Sequence, residues 1–145
     1  MKKLFRKILC PVSFDQNSIS AVELACELAE GTDATIYLLH VVPAPPITAR
    51  PIPMEPYPQN EHDARDRLKQ VAHKHLEGKV KHEIFARTGD PARITIDMVE
   101  ELGADSIVMA THGRTGVSHL ILGSVAERVV RESPRPVLTV RGTAR

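Results

Sequence analysis

The chain has 145 residues, of which 42% are hydrophobic, 26% charged and 3% aromatic. That is the composition of an ordinary globular domain, not of a disordered, collagen-like or membrane-spanning chain. A protein of this size removes about two thirds of its extended-chain surface from water on folding, so one core is feasible without disulfides or metals. With 19 Lys and Arg against 18 Asp and Glu, the net charge of +1 argues against a general nucleic-acid binder, which needs a basic excess. Binding of one small anion stays open.

Lys2, Lys3, Arg6 and Lys7 precede Ile8 and Leu9, the order of charges in a secretory signal, but Pro11 and Ser13 interrupt the apolar stretch such a signal requires. No apolar run reaches the roughly 18 residues of a membrane span. The expectation is a cytoplasmic protein without a membrane partner. Cys10 and Cys26 stand in no metal-ligand spacing and are expected to be free, buried thiols.

In chain order, Lys7 to Val12 is a short apolar run that suits a strand buried on both faces. From Ser18 to Glu30, Ile19, Val22, Ala25, Cys26 and Ala29 share one helical face. Asn17 or Ser18 is the expected N-cap, and Gly31 the stop. Thr35 to Val42 is β-branched and apolar, a second strand. Seven of the eleven prolines then fall between Pro43 and Pro58, where missing N–H donors exclude regular pairing and predict a long loop over 43–59. That loop suits either a cover or a partner-binding segment.

Asn60 to Glu77 carries Ala64, Leu68, Val71, Ala72 and Leu76 on a helical stripe ended by Gly78. Lys81 to Arg87 reads as a half-exposed third strand at a sheet edge. Asp90 and Pro91 make a strong helix start leading into Ile94, Met98 and Leu102, with Gly103 as terminator. Ser106 to Ala110 and Pro136 to Val140 are the fourth and fifth strands, with a helix from about Ser124 to Glu132 between them. The alternation βαβαβαβαβ predicts an α/β fold in one domain, an open, Rossmann-like parallel sheet with helices on both faces.

Ligands of such sheets bind beyond the carboxyl ends of the strands. The connection after the fourth strand, 111–123, is longer than the two to six residues usual there. Gly113 and Gly116 permit tight backbone turns, and Gly123-Ser124 opens a helix whose free N–H groups and positive end favour an anion such as phosphate. The glycines equally suit a simple turn and Ser124 a simple cap. Arg114 is the cation placed to reach a phosphate, while the loop has no carboxylate to hold a metal or activate water. Binding is better supported than hydrolysis. There is no Gly-Lys-Ser/Thr triplet, no dinucleotide glycine pattern after the first strand and no GxSxG elbow, so no catalytic residue is assigned. The seven histidines make no metal set: His73 and His75 point to different sides of a helix, and His40 and His112, which end strands near the presumed crevice and could contact ligand, have no nearby carboxylate.

The segments KILCPVSFDQNSISAVELA, IYLLHVV, TGDPARIT and MATHGRTGVSHLILGSVAERVVRESPRPVLTVR resemble the universal stress protein family over essentially the whole chain. Nucleotide-binding members carry Gly-x2-Gly-x9-Gly-Ser/Thr. Here the frame reads Ala110-x2-Gly113-x9-Gly123-Ser124, with Ala110 in place of the first glycine. The resemblance implies strand order 3-2-1-4-5. It also implies a site for ATP or a related adenine nucleotide, with backbone and hydroxyl contacts to the phosphates from Gly113, Gly123, Ser124 and Val125, Val41 packing on the base, Met109 close to the sugar, and Pro11, Val12, Ser13, Ala110 and Arg114 completing the nucleotide-binding set. A Mg or Mn ion would bridge the phosphates. The family's Pro-x-Asp-x-Ser is Pro11-Val12-Ser13-Phe14-Asp15 here, so Ser13 stands where relatives have the acid that contacts adenine. The expected function is a nucleotide-binding regulator of the stress response without fast turnover. The alternative is a dimeric interaction protein that has lost nucleotide binding. Either way the resemblance implies a homodimer paired through Val137, Leu138, Thr139 and Val140.

Overall fold

A computed structural model describes residues 4–44, 57–111 and 122–141. Nine elements alternate: β1 (Lys7–Pro11), α1 (Gln16–Ala29), β2 (Thr35–Pro43), α2 (Glu61–His75), β3 (Lys81–Gly89), α3 (Pro91–Leu102), β4 (Ser106–Ala110), α4 (Ser124–Glu132) and β5 (Val137–Val140). All four strand pairings are parallel, in the order β3-β2-β1-β4-β5. The expected α/β sheet and its strand order are both present. Of the proline-rich 43–59 segment and the 111–123 connection, 45–56 and 112–121 lie outside the described residues.

Alternating side chains divide the core between the two sheet faces. On one, Ile8, Cys10, Ile36, Leu38 and Val108 meet Val22, Ala25 and Ala29 of α1 and Leu68 and Ala72 of α2. On the other, Leu9, Tyr37, Leu39, Val41, Ile107 and Met109 meet Met98 and Val99 of α3 and Ala126 and Val129 of α4. The helices therefore change face between β1 and β4, and a crevice opens where the crossovers part.

Several boundaries differ from the sequence expectation, each for a local reason. The N-cap of α1 is Asp15, not Asn17 or Ser18: its Oδ1 accepts the Ser18 N–H at 2.8 Å, and Ser18 itself is buried one turn inside. β1 stops at Pro11 instead of Val12, and β3 runs to Gly89 instead of Arg87 because β2 keeps pairing with it as far as Pro43. α2 is shorter, Glu61–His75, with Asn60 as its cap. β5 begins at Val137, since Pro136 has no N–H and contributes only its carbonyl, to Ile107 N–H at 3.0 Å. The Asp90 cap of α3 and its left-handed terminator Gly103, at φ 67°, are as expected.

Candidate functional site

The crevice is built by strands that stop at different heights. β1 and β4 pair only at Ile8↔Ser106 and Leu9↔Ile107. The next ladder bond would need an N–H from Pro11, which has none, so the strands separate there. On its other side β1 goes one step further: Val12 N–H donates to Leu39 carbonyl at 2.8 Å. A continuing ladder would then take Val41 N–H onto the Val12 carbonyl, yet the pairing ends at Pro11↔Leu39. The Val12 carbonyl accepts instead from the Nδ1 of buried His40, at 2.6 Å. β2 runs on past β1, so the Val41 backbone N–H and carbonyl face the gap.

Beyond Val12 the chain turns sharply. Phe14 adopts φ 64°, and its ring packs 4.6 Å from that of His40, with the Arg67 guanidinium of α2 4.7 Å above it. This turn delivers Asp15 to the start of α1 as its cap. The one acid of the β1–α1 loop thus serves the helix and does not line the cavity.

Across the gap, Gly123 N–H donates to Thr111 carbonyl at 2.7 Å, closing the base of the connection between β4 and α4. Gly123 is the N-cap of α4 and provides no side-chain cap, so among the described residues no capping side chain accepts from the first-turn N–H groups of that helix. The guanidinium of Arg128 on α4 donates to the Asp90 carboxylate that caps α3, tying the two helices on this face together.

A cavity of about 260 Å³ fills the space between. Of the residues expected at the site, Pro11, Val12, Ser13, Val41, Met109, Ala110, Gly123, Ser124 and Val125 all line it. Gly113 and Arg114 lie outside the described residues. Sequence reasoning did not assign Ser18, Leu39, Pro43, Pro91, Thr95, Thr111 and Ala126, which complete the wall; His40, expected near the crevice as a candidate ligand contact, also lines it. Thr95 donates its hydroxyl to Pro91 carbonyl at 2.7 Å, so it serves its own helix. The Pro91 wall was foreshadowed by the Asp90-Pro91 helix start, which places the first turn of α3 at the same end of the sheet.

The described lining contains no Asp, Glu, Lys or Arg. Its polar groups are hydroxyls, one imidazole, strand-end backbone and a helix N-terminus, a set that suits a neutral heterocycle at one end and an anion at the other. No group of three potential metal-ligating side chains occurs among the described residues. Cys10 stands beside the cavity residue Pro11, but burial pushes its thiol up to about 12, so it remains neutral and unsuited to nucleophilic work. Both cysteines are free and buried.

Residues 4–141 match the family model of the universal stress proteins. The chain belongs to that family. It is 33% identical over 146 residues to universal stress protein MJ0531 of Methanocaldococcus jannaschii, an alignment covering 97% of this chain and 84% of the relative. Several solved structures share its fold, two of them nucleotide complexes. One is a universal stress protein in complex with cAMP, at TM-score 0.72 and 18% identity, covering 96% of this chain and 98% of that one. The other is the Archaeoglobus fulgidus universal stress protein in complex with dAMP, at TM-score 0.60 and 17% identity, covering 97% and 100%. No described helix is long and apolar enough to cross a membrane.

Proposed function

We propose that this chain binds an adenine nucleotide in the crevice between β1 and β4 and works as a nucleotide-responsive regulator of the stress response. The observation that carries the reading is a pair of backbone ends that, among the described residues, have no ladder or side-chain cap partner and flank one cavity: the Val41 N–H and carbonyl on one side, the start of α4 on the other. A strand-end N–H beside a carbonyl complements the edge of adenine, whose ring nitrogen accepts and whose amino group donates. Guanine presents the opposite polarity there. Phosphate goes to the helix end, at Gly123, Ser124 and Val125, with Gly113 and Arg114 as further candidates from the sequence frame. The sugar lies between, against Met109 and Ala110. The cAMP and dAMP complexes of the two structural neighbours support the same ligand class.

ATP is included in that class, with Mg or Mn as a phosphate-borne companion. Because the described wall offers no carboxylate to activate water, the proposal is binding without fast turnover. The same lack favours one alternative, a family member that has given up the nucleotide and acts only through protein contacts, since Ser13 stands where relatives present an acid. In either case we place the protein in the cytoplasm as a homodimer.

Isothermal titration with AMP, ATP and cAMP tests the proposal. Saturable heat is expected for at least one, matched by a raised melting temperature and abolished by Gly123→Glu. Gly123 sits at φ −63°, which any residue adopts, so the backbone accepts the substitution, and a carboxylate at the helix start repels a phosphate there; an unchanged, cooperative melting curve of the variant shows that it folds. No heat with any of the three in the unmodified protein sinks nucleotide binding and leaves the interaction reading.

A further inference from the structure

We infer that His40 is a positioning residue for base recognition: by holding the Val12 carbonyl, it keeps the Val41 backbone edge open to the ligand. The inference rests on the proposed nucleotide site and adds how that site is made.

Val12 N–H already pairs with Leu39, so the strand is in register for the next ladder bond, Val41 N–H to Val12 carbonyl. Nothing in the local sequence forbids it, because Val41 has its N–H and Val12 its carbonyl. What occupies that carbonyl is the His40 imidazole, at 2.6 Å. A carbonyl only accepts, so Nδ1 carries a proton and donates it in this bond. Phe14 packs on the imidazole with ring centroids 4.6 Å apart, and the Arg67 guanidinium lies 4.7 Å from the Phe14 centroid, contacts that support the ring's position. His40 is 2% exposed and sits in the cavity wall.

Ending the ladder one bond early leaves a strand donor and acceptor side by side at the ligand face, where a regular sheet would have consumed the donor. An imidazole is suited to the exchange because it brings a donor from a side chain, sparing the backbone one. If His40 lacked that donor, the Val12 carbonyl would lose this partner, and the N–H that the ladder register assigns to it is that of Val41. The substitution therefore closes the base-recognition edge without touching the phosphate end.

Two variants separate this role from general damage. His40→Leu removes the donor, and His40→Asn keeps an N–H close to the Nδ1 position. In the ligand-free protein, amide hydrogen exchange by NMR should find Val41 open in the unmodified protein and in His40→Asn, and protected in His40→Leu. In titrations, His40→Leu should weaken AMP about tenfold, the loss of one good hydrogen bond, while ribose 5-phosphate, which has no base, binds unchanged. His40→Asn should restore most of the AMP affinity. Equal Val41 exchange in all three proteins overturns the latch, as does an equal loss for AMP and ribose 5-phosphate. Should the unmodified protein bind no adenine nucleotide, the proposed function fails, and the exchange measurement still judges the latch by itself.

Discussion

Ser13 lines the cavity at the end of β1 with a hydroxyl that can both donate and accept. It therefore accommodates an amino group or a keto oxygen at the base, and discrimination falls to the Val41 edge. A carboxylate at this position would accept from the amino group of adenine and repel the keto oxygen of guanine. Ser13→Asp is accordingly expected to raise the preference for ATP over GTP by about tenfold, one charge-assisted hydrogen bond's worth. Competition titrations measure it, and an unchanged ratio of the two dissociation constants would remove Ser13 from base reading. Legibility at this scale depended on whether a residue acts through local chain geometry. Gly123 and Ser124 were readable because a glycine before an amphipathic run marks a helix start. The cap of α1 is expected at Asn17 or Ser18 and found at Asp15, because all three are competent caps and the turn at Phe14 selects the first. The His40 to Val12 bond joins residues 28 apart in sequence, and no spacing rule announces it.

Elements were the most readable level, because buried strands without polar interruptions and helices with an apolar stripe differ in period. The contacts that fasten one element to another were not. Asp105, just ahead of β4, illustrates this: its Oδ1 accepts from Phe5 N–H at 2.7 Å, and its Oδ2 from Arg6 at 3.0 Å and Lys7 at 2.8 Å. Phe5 takes φ 62° to point its N–H inward, forming a small backbone nest around the carboxylate. Ser106 Oγ adds a fourth donor at 2.8 Å. In sequence Asp105 is an unremarkable acid between Ala104 and Ser106, about a hundred residues from the segment it holds. Asp105→Ala leaves three backbone donors without that acceptor. We expect it to cost about 2 kcal/mol, at the middle of the range for hydrogen bonds to a charged group. Urea denaturation measures this, and a change below about 0.5 kcal/mol, the range of ordinary surface substitutions, would mean that water replaces the carboxylate freely.

For the whole molecule, the βα alternation implied a parallel sheet but not the order of its strands. That order came from family resemblance and is the order observed. It leaves β3 and β5 at the two edges. β3 is guarded by charge along its nine residues, with Lys81 joined to Asp33 and Arg87 to Glu101. β5 is Val-Leu-Thr-Val, with Leu138 37% exposed. An open apolar edge of this kind calls for a partner, and a second copy satisfies both edges about a two-fold axis. The register decides which substitution tests this cleanly. Ile107 N–H reaches Pro136 carbonyl and Thr111 N–H reaches Val140 carbonyl, so the even-numbered residues of β5 turn their backbone toward β4. Val137 and Thr139 turn theirs to the open edge. Proline at Leu138 would therefore damage the fold, whereas Thr139→Pro removes only an outward donor. We expect a homodimer that Thr139→Pro converts to a folded monomer at micromolar concentration by sedimentation velocity, with the melting curve still cooperative. A monomeric parent protein, or a dimer indifferent to the proline, would show that the open edge of β5 is not where two copies meet.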